Sequence, residues 1–184
     1  MTAGARTPAL ACAAALALTG CIATLSQPRG AAHLAAMREA TRHYHHGRYE
    51  EAARAWAEAA RTAERRVDRE EAEYRRARTL LDLDRDREAL SILDAIARRR
   101  PISRRTVRAR FDAALIRLEL GEIEAACAAL RWIVTEHPEA GPASRSLRLL
   151  MEARRDEPAG ARLAFLRDLY ARVGASDLGD DVLW

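Results

Sequence analysis

The chain has 184 residues, which is enough for one ordinary domain and a short appendage. About half of its residues are apolar, but Phe, Trp and Tyr are few, so a core must consist mainly of Ala and Leu. Ala, Leu, Arg and Glu dominate and favour helices, and long β-branched runs are absent. The composition therefore predicts an all-α fold.

The net charge is small, but the basic residues are all of one type. The chain has no Lys, so all 31 basic residues are Arg, and the formal net charge is +4. Such usage points to a coding bias more than to selection for guanidinium chemistry. A single Arg cluster is therefore weak evidence of function in this chain.

The first twenty residues have the order of a secretory signal. Arg6 provides a short positive region, and residues 7–18 form an uncharged, Ala-rich apolar stretch. The stretch is shorter than the roughly 20 residues that a membrane-spanning helix needs. Residues 18–21 read Leu-Thr-Gly-Cys, which resembles the lipobox of bacterial lipoproteins. The resemblance implies that residues 1–20 are removed and that Cys21 carries lipid.

The expected anchor also predicts a location. Three acyl chains on Cys21 would hold stably to a bilayer, whereas one chain binds only marginally. Ile22 stands where inner-membrane lipoproteins usually have Asp, so the resemblance implies the outer membrane, facing the periplasm. Residues 21–32 are then the lipidated Cys and a linker with Pro28 and Gly30. The alternative is an ordinary secretory signal in which Cys21 is incidental.

Cysteine usage fits the same interpretation. Cys12 leaves with the signal and Cys21 is consumed by lipid, which leaves Cys127 alone. The mature chain is therefore expected to form no intramolecular disulfide.

A 37-residue repeat runs through the middle of the chain. The segment at residues 47–52 returns at residues 84–89 and again at residues 121–126. Each unit has two amphipathic helical patterns on either side of a turn. The same spacing relates further positions: Trp56, Leu93 and Leu130; Ala59, Ile96 and Ile133; Pro101 and Pro138.

The first unit carries Gly47, Tyr49 and Ala52, with Trp56 one turn later, and this pattern resembles the tetratricopeptide repeat (TPR). The likeness covers about residues 32–138. It departs from the family in its spacing, which is usually about 34 residues, and in Asp84, which replaces Gly at the second turn.

The resemblance implies a right-handed α-solenoid over residues 33–173. Three helix pairs are clear, and a degenerate fourth pair is expected at residues 143–154 and 159–173, since terminal units of a solenoid are atypical. Residues 174–184 are expected to form an acidic and then apolar C-terminal tail.

In TPR proteins the first helix of each pair lines a groove, and this geometry predicts a partner-binding surface. An apolar ladder in such a groove suits an amphipathic helix or an extended peptide. The alternative is that some of these side chains only pack between helices. The carboxylate clamp of some TPR proteins needs Lys and Asn, and this chain has neither. The predicted groove residues are Met37, Tyr74 and Phe111 in one column, and Tyr44, Leu81 and Leu118 in a second.

A basic stretch gives a different prediction. An exported protein rarely meets nucleic acid, so anionic lipid, lipopolysaccharide or an acidic protein surface is the expected ligand. The alternative is a solvated surface of Arg side chains. The stretch contains Arg98, Arg99, Arg100, Arg104, Arg105 and Arg108.

Signs of catalysis or metal binding are weak. No nucleophile elbow, phosphate-binding loop or HExxH motif is present. Acids lie among Arg at helical spacing, as in Glu71 and Arg75, which predicts surface ion pairs. His43 and His46 share a helix face, but no third ligand follows at a convincing spacing. No enzyme, metal or cofactor is expected.

These features together predict an outer-membrane-anchored TPR lipoprotein that acts as a protein–protein interaction scaffold in envelope assembly. It is loosely similar in plan to the TPR lipoprotein of the β-barrel assembly machine and to secretin pilotins. One alternative is a binder of anionic lipid or polymer through the basic stretch, and another is an architectural spacer. The sequence leaves the partner and the oligomeric state open.

Overall fold

The computed structural model describes residues 29–183, the last of these by its backbone alone. The predicted signal peptide and the lipobox with Cys21 lie outside this range. Residues 29–183 contain helices and no strand, so the predicted all-α class is confirmed. The helices are α1 (Ala31–His45), α2 (Tyr49–Thr62), α3 (Arg66–Leu81), α4 (Asp86–Ala97), α5 (Arg104–Glu119), α6 (Ile123–Glu136), α7 (Ala143–Ala153), α8 (Ala159–Val173) and α9 (Leu178–Leu183).

Helices α1 to α7 pack in chain order, each against the next. The first, second and third pairs are α1/α2, α3/α4 and α5/α6, and the first helices α3 and α5 also touch each other. The last part is less regular, because α9 packs against both α7 and α8 while α8 packs against α6. Two helices, α7 and α8, lie where the degenerate fourth pair is predicted, and their bounds match the prediction to within one residue.

The turns inside the first three pairs are alike, which confirms the 37-residue repeat. Gly47, Asp84 and Gly121 all have positive φ, at 71°, 56° and 78°. Asp is among the residues that tolerate this left-handed conformation, so Asp84 preserves the turn. In each turn the next N–H group donates to a carbonyl five residues back: Arg48 to His43 (3.0 Å), Arg85 to Leu80 (2.9 Å) and Glu122 to Arg117 (2.8 Å).

The repeated apolar positions are buried at the helix contacts. In each pair, buried Ala residues from both helices share one core cluster, where a methyl group lets the backbones approach closely. Larger side chains fill the next turn of each second helix. The buried columns are Ala40, Ala77 and Ala114; Ala52, Ala89 and Ala126; Trp56, Leu93 and Leu130; and Ala59, Ile96 and Ile133.

The C-terminal segment is more than a tail. Residues 178–183 form the short helix α9, and its Leu178 and Val182 are buried. Both side chains join a core cluster that also contains Phe165, Leu169 and Val173 of α8. This helix therefore covers one end of that core cluster.

None of the helices between residues 29 and 183 is both long enough and apolar enough to cross a membrane.

Candidate binding cleft

A cleft of about 680 Å³ lies among the first helices of the first three pairs. Its walls come from α1, from α3 and from the start of α5, together with Arg29 just before α1. We call it the first-helix cleft.

One side of the first-helix cleft is apolar. Leu34 and Met37 of α1 are half-buried there, and Val67 near the start of α3 is 51% exposed. Exposed β-branched side chains on their own need no explanation. Here Val67 shares one concavity with two other apolar side chains, so a ligand can bury all three at once.

Two acids are buried in the wall of the cleft, where Arg side chains neutralise them. Asp68 Oδ1 lies 3.2 Å from Arg29 Nε, and its Oδ2 lies 3.4 Å from Arg65 Nε. Glu70 Oε1 lies 3.2 Å from Arg66 Nη1. Burying a carboxylate costs free energy unless it is paired with a positive charge. Asp68 and Glu70 are therefore structural, and their charges are neutralised within the protein.

The third acid of the cleft, Glu71, bridges two helices. Its Oε1 accepts a hydrogen bond from Arg75 Nε at 2.6 Å within α3, and its Oε2 contacts Arg105 Nη2 of α5. The Arg105 guanidinium also lies over the Tyr74 ring, 4.3 Å from its centroid, which fixes its orientation. Glu71 therefore holds two guanidinium groups at the surface of the cleft.

The start of α5 brings three Arg side chains to the edge of the cleft. Ser103 caps the helix: its Oγ accepts from the Thr106 N–H at 3.2 Å, and Thr106 Oγ1 accepts from the Ser103 N–H at 2.7 Å. This capping box sets the start of α5, and the side chains of Arg104, Arg105 and Arg108 on its first two turns line the cleft.

Arg104 and Arg108 differ in whether they form an ion pair. Arg108 Nε lies 3.1 Å from Asp112 Oδ1. Burial lowers the pKa of Arg108, but the Asp112 carboxylate and the Tyr74 hydroxyl together outweigh that effect, so the pKa is raised overall. Arg104 is exposed and makes no ion pair with any described residue. It is thus a charge available to a ligand.

The cleft as a whole is positive. Six Arg side chains and three acids line it, which gives a net charge of +3. All three acids already contact Arg side chains. The field in the cleft therefore favours a negatively charged ligand.

A smaller concavity of about 330 Å³ continues along α3 towards its C-terminal end. Tyr44, Trp56 and Tyr74 line it together with Arg75 and Arg78. A hydrogen bond to Asp82 and partial burial raise the pKa of Tyr44. Burial, and then the hydrogen bond to Asp112, raise the pKa of Tyr74.

The predicted apolar ladder is only partly exposed. Met37 lines the first-helix cleft, and Tyr44 lines the smaller concavity. Leu81 and Leu118 are half-buried against core clusters.

The expectation of exposure is wrong for Phe111 and Tyr74, which are 1% and 9% exposed. The physical reason is that each residue of this column faces the first helix of the next pair. The Tyr74 hydroxyl of α3 donates to Asp112 Oδ2 of α5 at 2.6 Å, and the Phe111 ring lies under Arg145 of α7.

The predicted basic stretch divides into two parts. Arg104, Arg105 and Arg108 belong to the first-helix cleft, and so does Met37 of the predicted groove. The two predicted sites therefore meet in one place. The other part, Arg98, Arg99 and Arg100, lies at the connection between α4 and α5, where Arg99 Nη1 pairs with Glu73 Oε2 at 2.5 Å.

Sequence reasoning missed Asp68 and Glu70, and it assigned Glu71 only a local partner. The predicted pair of Glu71 with Arg75 is present, but the second contact of Glu71 crosses to α5. A usable signal existed in the 34-residue separation of Glu71 and Arg105, which is close to the repeat length and so places them on neighbouring first helices.

His43 and Cys127 lie outside the lining of the first-helix cleft. The described residues hold no group of three or more His, Cys, Asp or Glu side chains that could bind a metal ion. His43 accepts a hydrogen bond from Arg48 Nε at 3.0 Å. Cys127 is a free, half-buried thiol whose pKa is raised by burial.

No protein-family model, curated protein or solved structure matches this chain.

Proposed function

We propose that this chain is an outer-membrane lipoprotein, facing the periplasm, that binds a segment of another envelope protein in the first-helix cleft. On this proposal Cys21 is the lipid anchor, and the helix pairs stack as a right-handed TPR-like solenoid. The protein is a scaffold in envelope assembly and neither an enzyme nor a cofactor carrier.

The first-helix cleft is the observation that carries the proposal. It joins three of the first helices, which form the binding side in the TPR proteins that the repeat resembles. It offers apolar side chains and positive charge in a single concavity. Protein interfaces commonly combine an apolar centre with a polar rim, and Arg is enriched in them.

The binding surface can be tested by photo-crosslinking in cells. A photoreactive amino acid would replace Val67 in the cleft or, as the matched control, Ile123. Both are exposed β-branched residues at helix starts, at 51% and 41% exposure, but Ile123 lies on a second helix. We expect defined adducts with another protein from position 67 and none from position 123. The same adducts from both positions, or none from either, would contradict the proposal.

The anchor needs a separate test. Cys21→Ser should block lipidation and processing, so the variant should keep residues 1–20 and should not label with palmitate. A Cys21→Ser protein that is processed normally and still fractionates with membranes would refute the lipid tether without affecting the cleft.

A second candidate function is the binding of anionic lipid or polymer by the basic stretch. The exposed side chains of Arg98, Arg100 and Arg104 favour it, and Arg98 and Arg104 make no ion pair with the described residues. Binding through these charges should weaken steeply as salt is raised. Replacing Arg98 and Arg100 by Gln should weaken it and leave crosslinking from position 67 intact.

A further inference from the structure

Resting on the proposed function, we infer that the segment bound in the first-helix cleft is an acidic, amphipathic protein segment, and that Glu71 occupies part of its anion site in the free protein.

The three acids of the cleft differ in their exposure to solvent. The side chains of Asp68 and Glu70 are 7% and 2% exposed, whereas that of Glu71 is 29% exposed. Asp68 and Glu70 are thus part of the wall. Glu71 lies at the surface, where an incoming ligand can reach its partners.

The two partners of Glu71 are arranged to receive a carboxylate. Arg75 comes from α3 and Arg105 from α5, and one carboxylate contacts both. Arg105 is held in place by the Tyr74 ring, and Arg75 lies over the Trp56 ring at 5.3 Å. Both guanidinium groups are therefore oriented without Glu71, and a ligand carboxylate can replace it at little cost in ordering.

Additional positive charge surrounds this pair. Arg104 has no ion-pair partner among the described residues, and the side chain of Arg108 is 45% exposed beside Asp112. Because Arg104, Arg105 and Arg108 share the first turns of α5, a segment lying across them can place several carboxylates within reach. Guanidinium–carboxylate contacts of this kind are stronger than neutral hydrogen bonds.

The apolar side of the cleft indicates that the ligand also carries apolar groups. Leu34, Met37 and Val67 lie in the same cleft as the Arg side chains. A ligand that fits must carry apolar groups next to its acidic ones, as an amphipathic protein segment does. The flat surface of an anionic membrane would reach exposed Arg side chains but could not fill a cleft of about 680 Å³. The shape therefore favours a protein segment over a lipid surface.

The test uses a labelled synthetic peptide of alternating Glu and Leu, and the same peptide with Gln in place of Glu. Wild-type protein should bind the Glu peptide more tightly than the Gln peptide. Arg105→Gln should weaken binding of the Glu peptide on the order of tenfold, as the loss of a charge-assisted contact predicts. Thermal unfolding of each variant shows whether it remains folded.

Glu71→Gln is the decisive variant, since it removes the internal competitor. It should tighten binding of the Glu peptide on the order of threefold, as an ion pair of surface strength predicts. Glu152→Gln is the matched control, because Glu152 of α7 is an exposed ion-pair partner of Arg155. It changes the net charge equally and should leave binding unchanged.

The outcomes separate this inference from the function on which it rests. Equal binding of the Glu and Gln peptides, or a Glu71→Gln variant no tighter than Glu152→Gln, overturns the acidic ligand while crosslinking from position 67 still stands. Loss of that crosslinking overturns both. Arg105-dependent binding of phosphatidylglycerol vesicles, without binding of the Glu peptide, would identify a lipid ligand and overturn the inference.

Discussion

The two ends of the described chain are held together by different means. Around α1 to α3 the core clusters are small and consist mostly of Ala, such as Ala36, Ala59, Ala60 and Ala72. From α5 to α9 one continuous cluster contains Phe, Leu, Ile and Val side chains. Fully burying a large aliphatic or aromatic side chain contributes about 1.5–3 kcal/mol, and Ala offers far less apolar area.

The Ala-rich end also buries polar groups. His33, Asp68 and Glu70 are almost fully buried there, and the Nδ1 atom of His33 lies 2.8 Å from the Ala59 carbonyl oxygen. Buried ion pairs contribute little net stability, because desolvation offsets their attraction. The two ends therefore have different roles: the C-terminal end stabilises the chain, and the N-terminal end holds charged groups at the cleft.

The largest effect on the free energy of unfolding is expected in the repeated column of Ala59, Ile96 and Ile133, which has a member at each end. Ile133→Ala should lower the free energy of unfolding by about 2–5 kcal/mol, because it leaves a cavity in the apolar cluster. Ala59→Gly, at the equivalent position of the first unit, should cost only about 1 kcal/mol. Urea unfolding of both variants measures the difference. Equal losses of free energy of unfolding in the two variants would show that the two ends do not differ in core packing.

The covering helix α9 should show the next largest effect. Leu178→Ala removes a side chain that is 3% exposed and should destabilise the protein by about 2 kcal/mol. Leu163→Ala on α8 is the control, since Leu163 is 48% exposed, and its cost should stay within about 0.5 kcal/mol. If the two variants have the same melting temperature, α9 does not stabilise the core.

A smaller effect is expected at the junction of the two ends, where Tyr74 donates to Asp112. Tyr74→Phe should cost about 1 kcal/mol at neutral pH. The pKa of Tyr74 is raised in the folded state, so its contribution is complete below the unfolded value of about 10 and is lost as pH rises through the folded value.

Unfolding measured across this alkaline range tests the sign of that prediction. Wild type should lose stability as the pH rises, and Tyr74→Phe should lose less. The exposed Tyr170→Phe should behave like wild type. A Tyr74→Phe variant that declines as steeply as wild type would count against the buried hydrogen bond.

The smallest effect concerns the turns, which are the feature that both ends share. Asp84→Gly should change the free energy of unfolding by only a few tenths of a kcal/mol. Relief of the positive φ stabilises the folded chain, and greater freedom of the unfolded chain offsets that gain. Gly121→Ala should cost more, because Ala is strained at a φ of 78°. The reverse order would show that the turns are not equivalent.

Much of the fold could be predicted from the sequence, because helix faces, turn residues and repeat spacing depend on residues that are close together in the chain. The positive φ shared by Gly47, Asp84 and Gly121 is the clearest case. The helix α9 was missed, since six residues containing Gly179 give too short a pattern to distinguish from a tail.

The site was harder to predict than the fold, for a physical reason. Whether Phe111 is exposed depends on how closely α7 approaches α5, and the second contact of Glu71 depends on the gap between α3 and α5. Periodicity gives the face of a helix on which a residue lies. It does not give the distance to the next helix.

Hydrogen exchange of the purified protein with and without the Glu peptide tests the central claim most directly, because it locates the ligand along the whole chain. The peptide should slow exchange in α1, in α3 and at the start of α5, and should leave α7 to α9 unchanged. Slower exchange confined to α7 to α9 or to the second helices, or no change under saturating peptide, would contradict the first-helix cleft as the binding site.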